Sequence, residues 1–116
     1  SRLDFCLQGP QGLHLVEVKG VTLENGGHAL FPDAPTERGV RHLRELASAV
    51  ALGHRATVFF VIQMAEVTDF APNDATHPAF GEALRQAAAA GVQAAAYTCR
   101  VTPDSIVIDR PVPVIL

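Results

Sequence analysis

Nowhere does the sequence run apolar for the ~20 residues that a membrane helix needs, which excludes a helical membrane span. No cleavable secretory leader is visible. Cysteine is scarce. Cys6 and Cys99 are the only two, far apart and in no metal-like spacing. They are expected to be free buried thiols in a reducing cytoplasm, not a disulfide. Charge is also thin: charged residues make up 18% of the chain and the net charge is -3, so there is no overall basic footprint. Any attraction for nucleic acid must come from a local cluster or from sequence outside the chain. Ser1, Ser48 and Ser105 carry no nucleophile signature, and His14, His28, His54 and His77 show no ligand spacing. Gly26-Gly27 reads as a turn and lacks the strand-to-helix context of a phosphate loop. The chain opens without an initiator methionine, so it is expected to be a fragment whose start lies upstream.

What is present suffices for one folded domain. The 116 residues are 48% hydrophobic, which argues for a real core and against disorder. Ser1 to Gln8 alternates, with Leu3, Phe5 and Leu7 set against Arg2, Asp4 and Cys6, and predicts a strand. Gly9-Pro10-Gln11-Gly12 is turn chemistry, so this strand and the run Leu13–Lys19, "LHLVEVK", should form a hairpin. Residues 20–34 read as a loop with room for one short strand. Pro35 suits the first turn of a helix in which Val40, Leu43, Leu46, Ala47 and Val50 form an apolar stripe, ended by Gly53. Arg55–Ile62, "RATVFFVI", suits a buried central strand. A polar loop with Pro72 and Pro78 follows, then an alanine-rich helix over Ala79–Ala90 stopped by Gly91. Val92–Val101 and Ser105–Asp109 predict strands around Pro103-Asp104. The tail "RPVPVIL" is extended, and its prolines favour an edge. The order β-β-α-β-α-β-β implies an α/β fold: a mixed central sheet with helices packed on it.

The hairpin raises a chemical question. Pairing Gly9 with Gly12 sets Asp4 opposite Glu17 and Arg2 opposite Lys19. Opposed residues share a face, with Cβ atoms about 4.5–5.5 Å apart. Two carboxylates and a lysine therefore gather on one patch. Opposed like charges destabilise a sheet unless something compensates, and a divalent cation is an obvious compensator. Asp4, Glu17 and a main-chain carbonyl such as that of Val18, with waters, make a hard-cation donor set. Lys19 is about 6–7 Å along the strand from Glu17, within reach of a water or phosphate oxygen at such an ion. The plainer reading is a surface salt pair, and a one-residue slip of the turn would move Asp4 to the other face.

At these residues the chain resembles a known family. "SRLDFCL", "VEVKGVTLE", "FPDAPTERGVRHLREL" and "GVQAAAYTCRV" are similar to the sugar fermentation stimulation protein family, SfsA, over essentially the whole chain. Members are about twice as long, and residues 1–116 resemble their C-terminal half. The resemblance implies a restriction-endonuclease-like PD-(D/E)XK core, with an N-terminal helix and strand of that core missing here. It also implies an OB-like N-terminal domain, absent from this chain, as a partner within the same protein. It casts Asp4 as the strand acid, and Glu17 and Lys19 as the acid-x-lysine pair. Together these would hold Mg²⁺ or Mn²⁺ and activate water against a phosphodiester. Met64 stands where members often carry a basic residue after Phe60-Val61-Ile62-Gln63.

On the helix, Arg38 and Arg41 are candidates for contacts to backbone phosphates, with Arg2 beside the hairpin. The alternative is a solvated helix with pairs Glu37–Arg41 and Arg41–Glu45. His42 borders the apolar stripe. It either positions a water or a substrate oxygen or takes a backbone partner. Asp33 is expected to cap the helix by default, the alternatives being that it precedes the helix or reaches the metal. Two functional readings stand: a metal-dependent nuclease acting on DNA ahead of RNA, and a DNA-binding regulator of sugar-metabolism genes with a residual or structural metal site. The expected setting is cytoplasmic, with no membrane. A second copy of the chain is a further candidate partner.

Overall fold

Two glycines set the first hairpin. Gly9 and Gly12 flank a two-residue connection, and Gly12 takes φ +102°, a conformation that side chains disfavour. The structure, a computed structural model, describes residues 4–10 and 12–116. Strand β1 (Phe5–Gly9) runs antiparallel to β2 (Gly12–Val21), with Gly9 opposite Gly12 and Phe5 opposite Val16. That is the register expected from the turn. Asp4 lies one residue before β1, and Arg2 lies outside the described residues.

After β2 the chain departs from the expected loop. Leu23–Asn25 (β3) and His28–Phe31 (β4) form a tight hairpin across Gly26 and Gly27, whose φ values of +59° and +87° suit the turn. The polar loop expected around Pro72 contains another strand, β6 (Asp69–Pro72), parallel to β4. These strands are only three or four residues long, and their pairing is non-local, so alternation gives them no signal. Packing explains them: Phe70 is fully buried and its ring stacks on Phe60 at 4.2 Å.

Helix α1 spans Glu37–Ala51. Pro35 and Asp33 lie ahead of it. The cap is Thr36, whose hydroxyl accepts the N–H of Gly39 at 3.0 Å. Threonine wins because its side chain sits at the position from which the third helical N–H can be reached. Thr36→Ala is expected to lower stability by about 1 kcal/mol, read as a lower denaturation midpoint at unchanged slope. Strand β5 covers Arg55–Ile62 and helix α2 covers Pro78–Ala90, closed by Gly91 at φ +110°. Pro78 therefore opens α2 instead of lying in the loop before it. Strands β7 (Gln93–Thr102) and β8 (Ser105–Val112) end the main sheet, with Pro111 on the edge strand.

The main sheet is mixed, in the order β1-β2-β5-β7-β8, parallel at β2/β5 and β5/β7 and antiparallel at both margins. A three-stranded sheet, β3-β4-β6, sits apart from it. Val58, Phe60 and Ile62 of β5 are fully buried and join Val40, Leu43 and Leu46 of α1 and Phe80 and Leu84 of α2 in one core. No helix among the described residues is long and apolar enough to cross a membrane. The cysteines are free, as expected, but only Cys99 is buried; Cys6 lies on β1, which is exposed throughout. Burial, and secondarily the charge of Asp109, push the Cys99 thiol pKa up, which keeps it protonated and unreactive.

Candidate functional site

The parallel register decides what β2 does with its polar residues. Glu17 pairs with Val58, Lys19 with Phe60 and Val21 with Ile62. Neighbours across a ladder share a face, so Glu17 and Lys19 point toward the helix layer, as Val58 and Phe60 do. An acid at that position is buried: Glu17 is 2% exposed. A buried carboxylate is tolerable only with partners that satisfy it.

Two cationic or donor groups meet it. The Lys19 ammonium lies 2.8 Å from Glu17 Oε2, and the Nδ1 of His42, on the inner face of α1, contacts the same oxygen. Lys19 Nζ is 3.1 Å from His42 Nδ1. An imidazole nitrogen this close to a carboxylate oxygen must carry the proton, so Nδ1–H donates to Glu17. Lys19 then also donates to Oε2, and its approach to Nδ1 is a by-product of sharing that oxygen. His42 Nε2 is buried with no partner, unlike any other buried side-chain nitrogen or oxygen among the described residues.

Asp4 completes the group from just ahead of β1. Its backbone N–H reaches Glu17 Oε1 at 3.3 Å. Its carboxylate turns to the strand edge, where Oδ2 accepts the N–H of Val18 at 2.8 Å. The strand pairing ends at Phe5 and Val16, and Asp4 meets β2 through these two hydrogen bonds. Lys19 and His42 neutralise Glu17, and a backbone donor holds Asp4. Among the described residues, no three His, Cys, Asp or Glu side chains gather in metal-holding fashion.

The remaining candidates divide. His42 sits inside the protein against Glu17, with its side chain 3% exposed, and not at an open surface. Sequence reasoning put it beside the stripe; the signal for burial was its spacing of three from Gly39 and four from Leu46. Arg38 and Arg41 are exposed. The pairs Glu37–Arg41 and Arg41–Glu45 do not form, and neither arginine is in an ion pair among the described residues. Arg38 lies one turn from His42 along α1. Val18 contributes an N–H to the site through Asp4.

Comparison with known proteins agrees with this architecture. The chain matches the family described as "Sugar fermentation stimulation protein RE domain" over residues 1–105. A sugar fermentation stimulation protein homolog from Desulfitobacterium hafniense (strain Y51) is 60% identical over 106 residues, which cover 91% of this chain and 46% of that protein. The homolog from Geobacter sulfurreducens is 52% identical over 115 residues, covering 99% of this chain and 49% of the relative. The chain thus spans about half the length of the curated relatives it matches. A solved structure, that of Pyrococcus furiosus SfsA in complex with Ca²⁺, superposes with a TM-score of 0.92 at 32% identity, covering 100% of this chain and 51% of that one. On sequence, fold and the length matched, this chain belongs to the sugar fermentation stimulation protein family.

Proposed function

We propose that this domain is the hydrolytic half of a metal-dependent nuclease, cutting phosphodiester bonds in DNA ahead of RNA. One observation carries the reading: an exposed aspartate and a buried acid-x-lysine pair meet across one hairpin, at the end of its shorter strand. In this reading the mixed sheet with α1 over its acidic face is a PD-(D/E)XK core. Residues 1–116 act with an OB-like domain elsewhere in the whole protein.

The donor chemistry fits a small hard cation. Among the described residues, Asp4 Oδ1 has no partner and Glu17 Oε1 accepts only the Asp4 N–H, at 3.3 Å. The N–H and C=O of a strand residue leave on the same side. The Val18 carbonyl therefore faces the same edge as its N–H, beyond the start of β1. Two carboxylates and one carbonyl suit an ion that keeps most of its water, as Mg²⁺ or Mn²⁺ does, and do not suit a fully protein-coordinated one. The Ca²⁺ complex of the Pyrococcus furiosus relative supports a hard-cation preference. When bound, a divalent cation supplies Lewis-acid charge and a more acidic water.

The protein's own residues do the rest. Glu17 orients the ammonium of Lys19, whose side chain is 14% exposed and so borders the open edge of the site. There Lys19 holds a proton beside an attacking water or the phosphate oxygen that gains charge. His42 fixes Glu17 from behind and excludes water from it. Arg38 and Arg41 contact flanking phosphates.

Calorimetric titration with Mn²⁺ tests the metal half of this reading. Asp4→Asn keeps an acceptor for the Val18 N–H yet removes a charged ligand. Glu17→Gln keeps an acceptor for His42. Each is expected to weaken Mn²⁺ binding by about tenfold or more, with the fold intact. Unchanged binding in both variants would remove these carboxylates from any metal site.

A further inference from the structure

On the flank of α1 that faces α2 lies a surface cavity of about 350 Å³, lined by Glu37, Val40, Arg41, Arg44, His77 and Ala79. Donors dominate its walls. Arg41 and Arg44 are exposed and lie three residues apart on one side of the helix. Neither is in an ion pair among the described residues. His77 is held from the other side: its Nδ1 accepts the backbone N–H of Thr36 at 3.1 Å. An imidazole that accepts at Nδ1 carries its proton at Nε2, so the ring's second nitrogen is a donor. Glu37 is the only carboxylate in the lining. Two guanidiniums against one carboxylate leave this patch positive on a chain whose net charge is -3.

The donors outnumber what a carboxylate ligand could use. Two arginine forks and an imidazole N–H match an anion with several oxygens, as a phosphate has. We propose that this cavity is a phosphate subsite that holds one backbone phosphate of a nucleic-acid strand running across α1. The identity of the carrier rests on the proposed nuclease reading; the phosphate chemistry stands on the cavity. An α-helix is about 10–12 Å across. His42, on the same helix as Arg41 and Arg44, touches Glu17, so about one helix width separates the cavity from the Glu17–Lys19 pair, a span of a few nucleotides.

The test measures binding without any divalent ion, so its outcome is independent of cleavage. A fluorescent single-stranded DNA oligonucleotide is titrated by anisotropy over a salt series, and inorganic phosphate by calorimetry. The double variant Arg41→Gln/Arg44→Gln is compared with Arg55→Gln/Arg100→Gln, which removes equal charge outside the cavity. His77→Asn retains an acceptor for Thr36. The cavity double is expected to bind the oligonucleotide about tenfold or more weakly, with the salt slope smaller by roughly 0.7–1.4, the value for one or two phosphates on a single strand. It should also lose inorganic phosphate binding. His77→Asn should weaken both probes by a smaller factor, and the control double should change either by less than about twofold. Oligonucleotide affinity in the cavity double equal to that of the control double would overturn the proposal. Lost phosphate binding with unchanged oligonucleotide affinity would reassign the cavity to free phosphate and overturn the strand. Weakened binding in a protein that cleaves nothing would uphold the subsite and reject the nuclease reading alone.

Discussion

Lys19→Ala is expected to slow phosphodiester cleavage by ~10²–10⁴-fold while divalent-cation binding stays near that of the parent chain. The size follows from what the ammonium does. It is the accessible charge at the site: its Nζ is held 2.8 Å from Glu17 Oε2 and its side chain is 14% exposed, whereas His42 behind it is sealed in. In the proposed reaction a group so placed acts on the attacking water or on the phosphate oxygen that gains charge. It supplies no ligand oxygen, so cation binding survives its loss. The substitution also strips one of two partners from a buried carboxylate, and His42 alone then satisfies Glu17 Oε2. A stability loss of about 1–3 kcal/mol is expected from that. Lys19→Gln separates the two effects, because its amide still donates to Glu17 while carrying no charge. Cleavage by Lys19→Gln should remain as low as that of Lys19→Ala, with stability largely restored. A Lys19→Gln protein that cleaves at the parent rate would reduce the lysine to a structural prop.

The largest effect on stability is expected from Leu46→Ala, a loss of about 2–5 kcal/mol. Leu46 is fully buried on α1 and belongs to the core that includes Val58, Phe60 and Ile62 of β5 and Leu84 of α2. Leu46 is packed on all sides by that core, so both the transfer and the void terms apply. The readout is the denaturant midpoint at constant slope. A midpoint within about 0.5 kcal/mol of the parent would mean that α1 does not pack this face on β5.

That prediction was available before the fold was known, and the reason is instructive. Val40, Leu43 and Leu46 repeat at helical spacing, and Arg55–Ile62 is an unbroken apolar run, so periodicity alone located the helix, the central strand and their contact. The hairpin was legible through Gly9 and Gly12, because turn chemistry fixes register, and the strands pair in that register from Gly9–Gly12 to Phe5–Val16. What stayed hidden was non-local. Strands β3, β4 and β6 are too short to alternate, and Phe70 earns its place through a ring on a distant strand. The compensation of Glu17 was hidden for the same reason. Alternation shows that Glu17 and Lys19 share a face, but only the parallel pairing with Val58 and Phe60 turns that face toward α1. Once it is turned inward, the acid needs partners from the helix. His42 is then recruited as a buried donor instead of an exposed contact to substrate. The cap of α1 moved from Asp33 to Thr36 by a purely local rule of reach.

Asp4, Glu17 and Lys19 are proposed to form one hydrolytic site. The most direct measurement is the rate of DNA cleavage by the full-length protein in Mg²⁺ or Mn²⁺, run beside Asp4→Asn, Glu17→Gln and Lys19→Ala with folding checked by circular dichroism. The account predicts cation-dependent cleavage by the parent protein that chelation abolishes and that all three folded variants lose by ~10²-fold or more. A parent protein that cleaves nothing with either cation, or three variants that cleave at the parent rate, would contradict it.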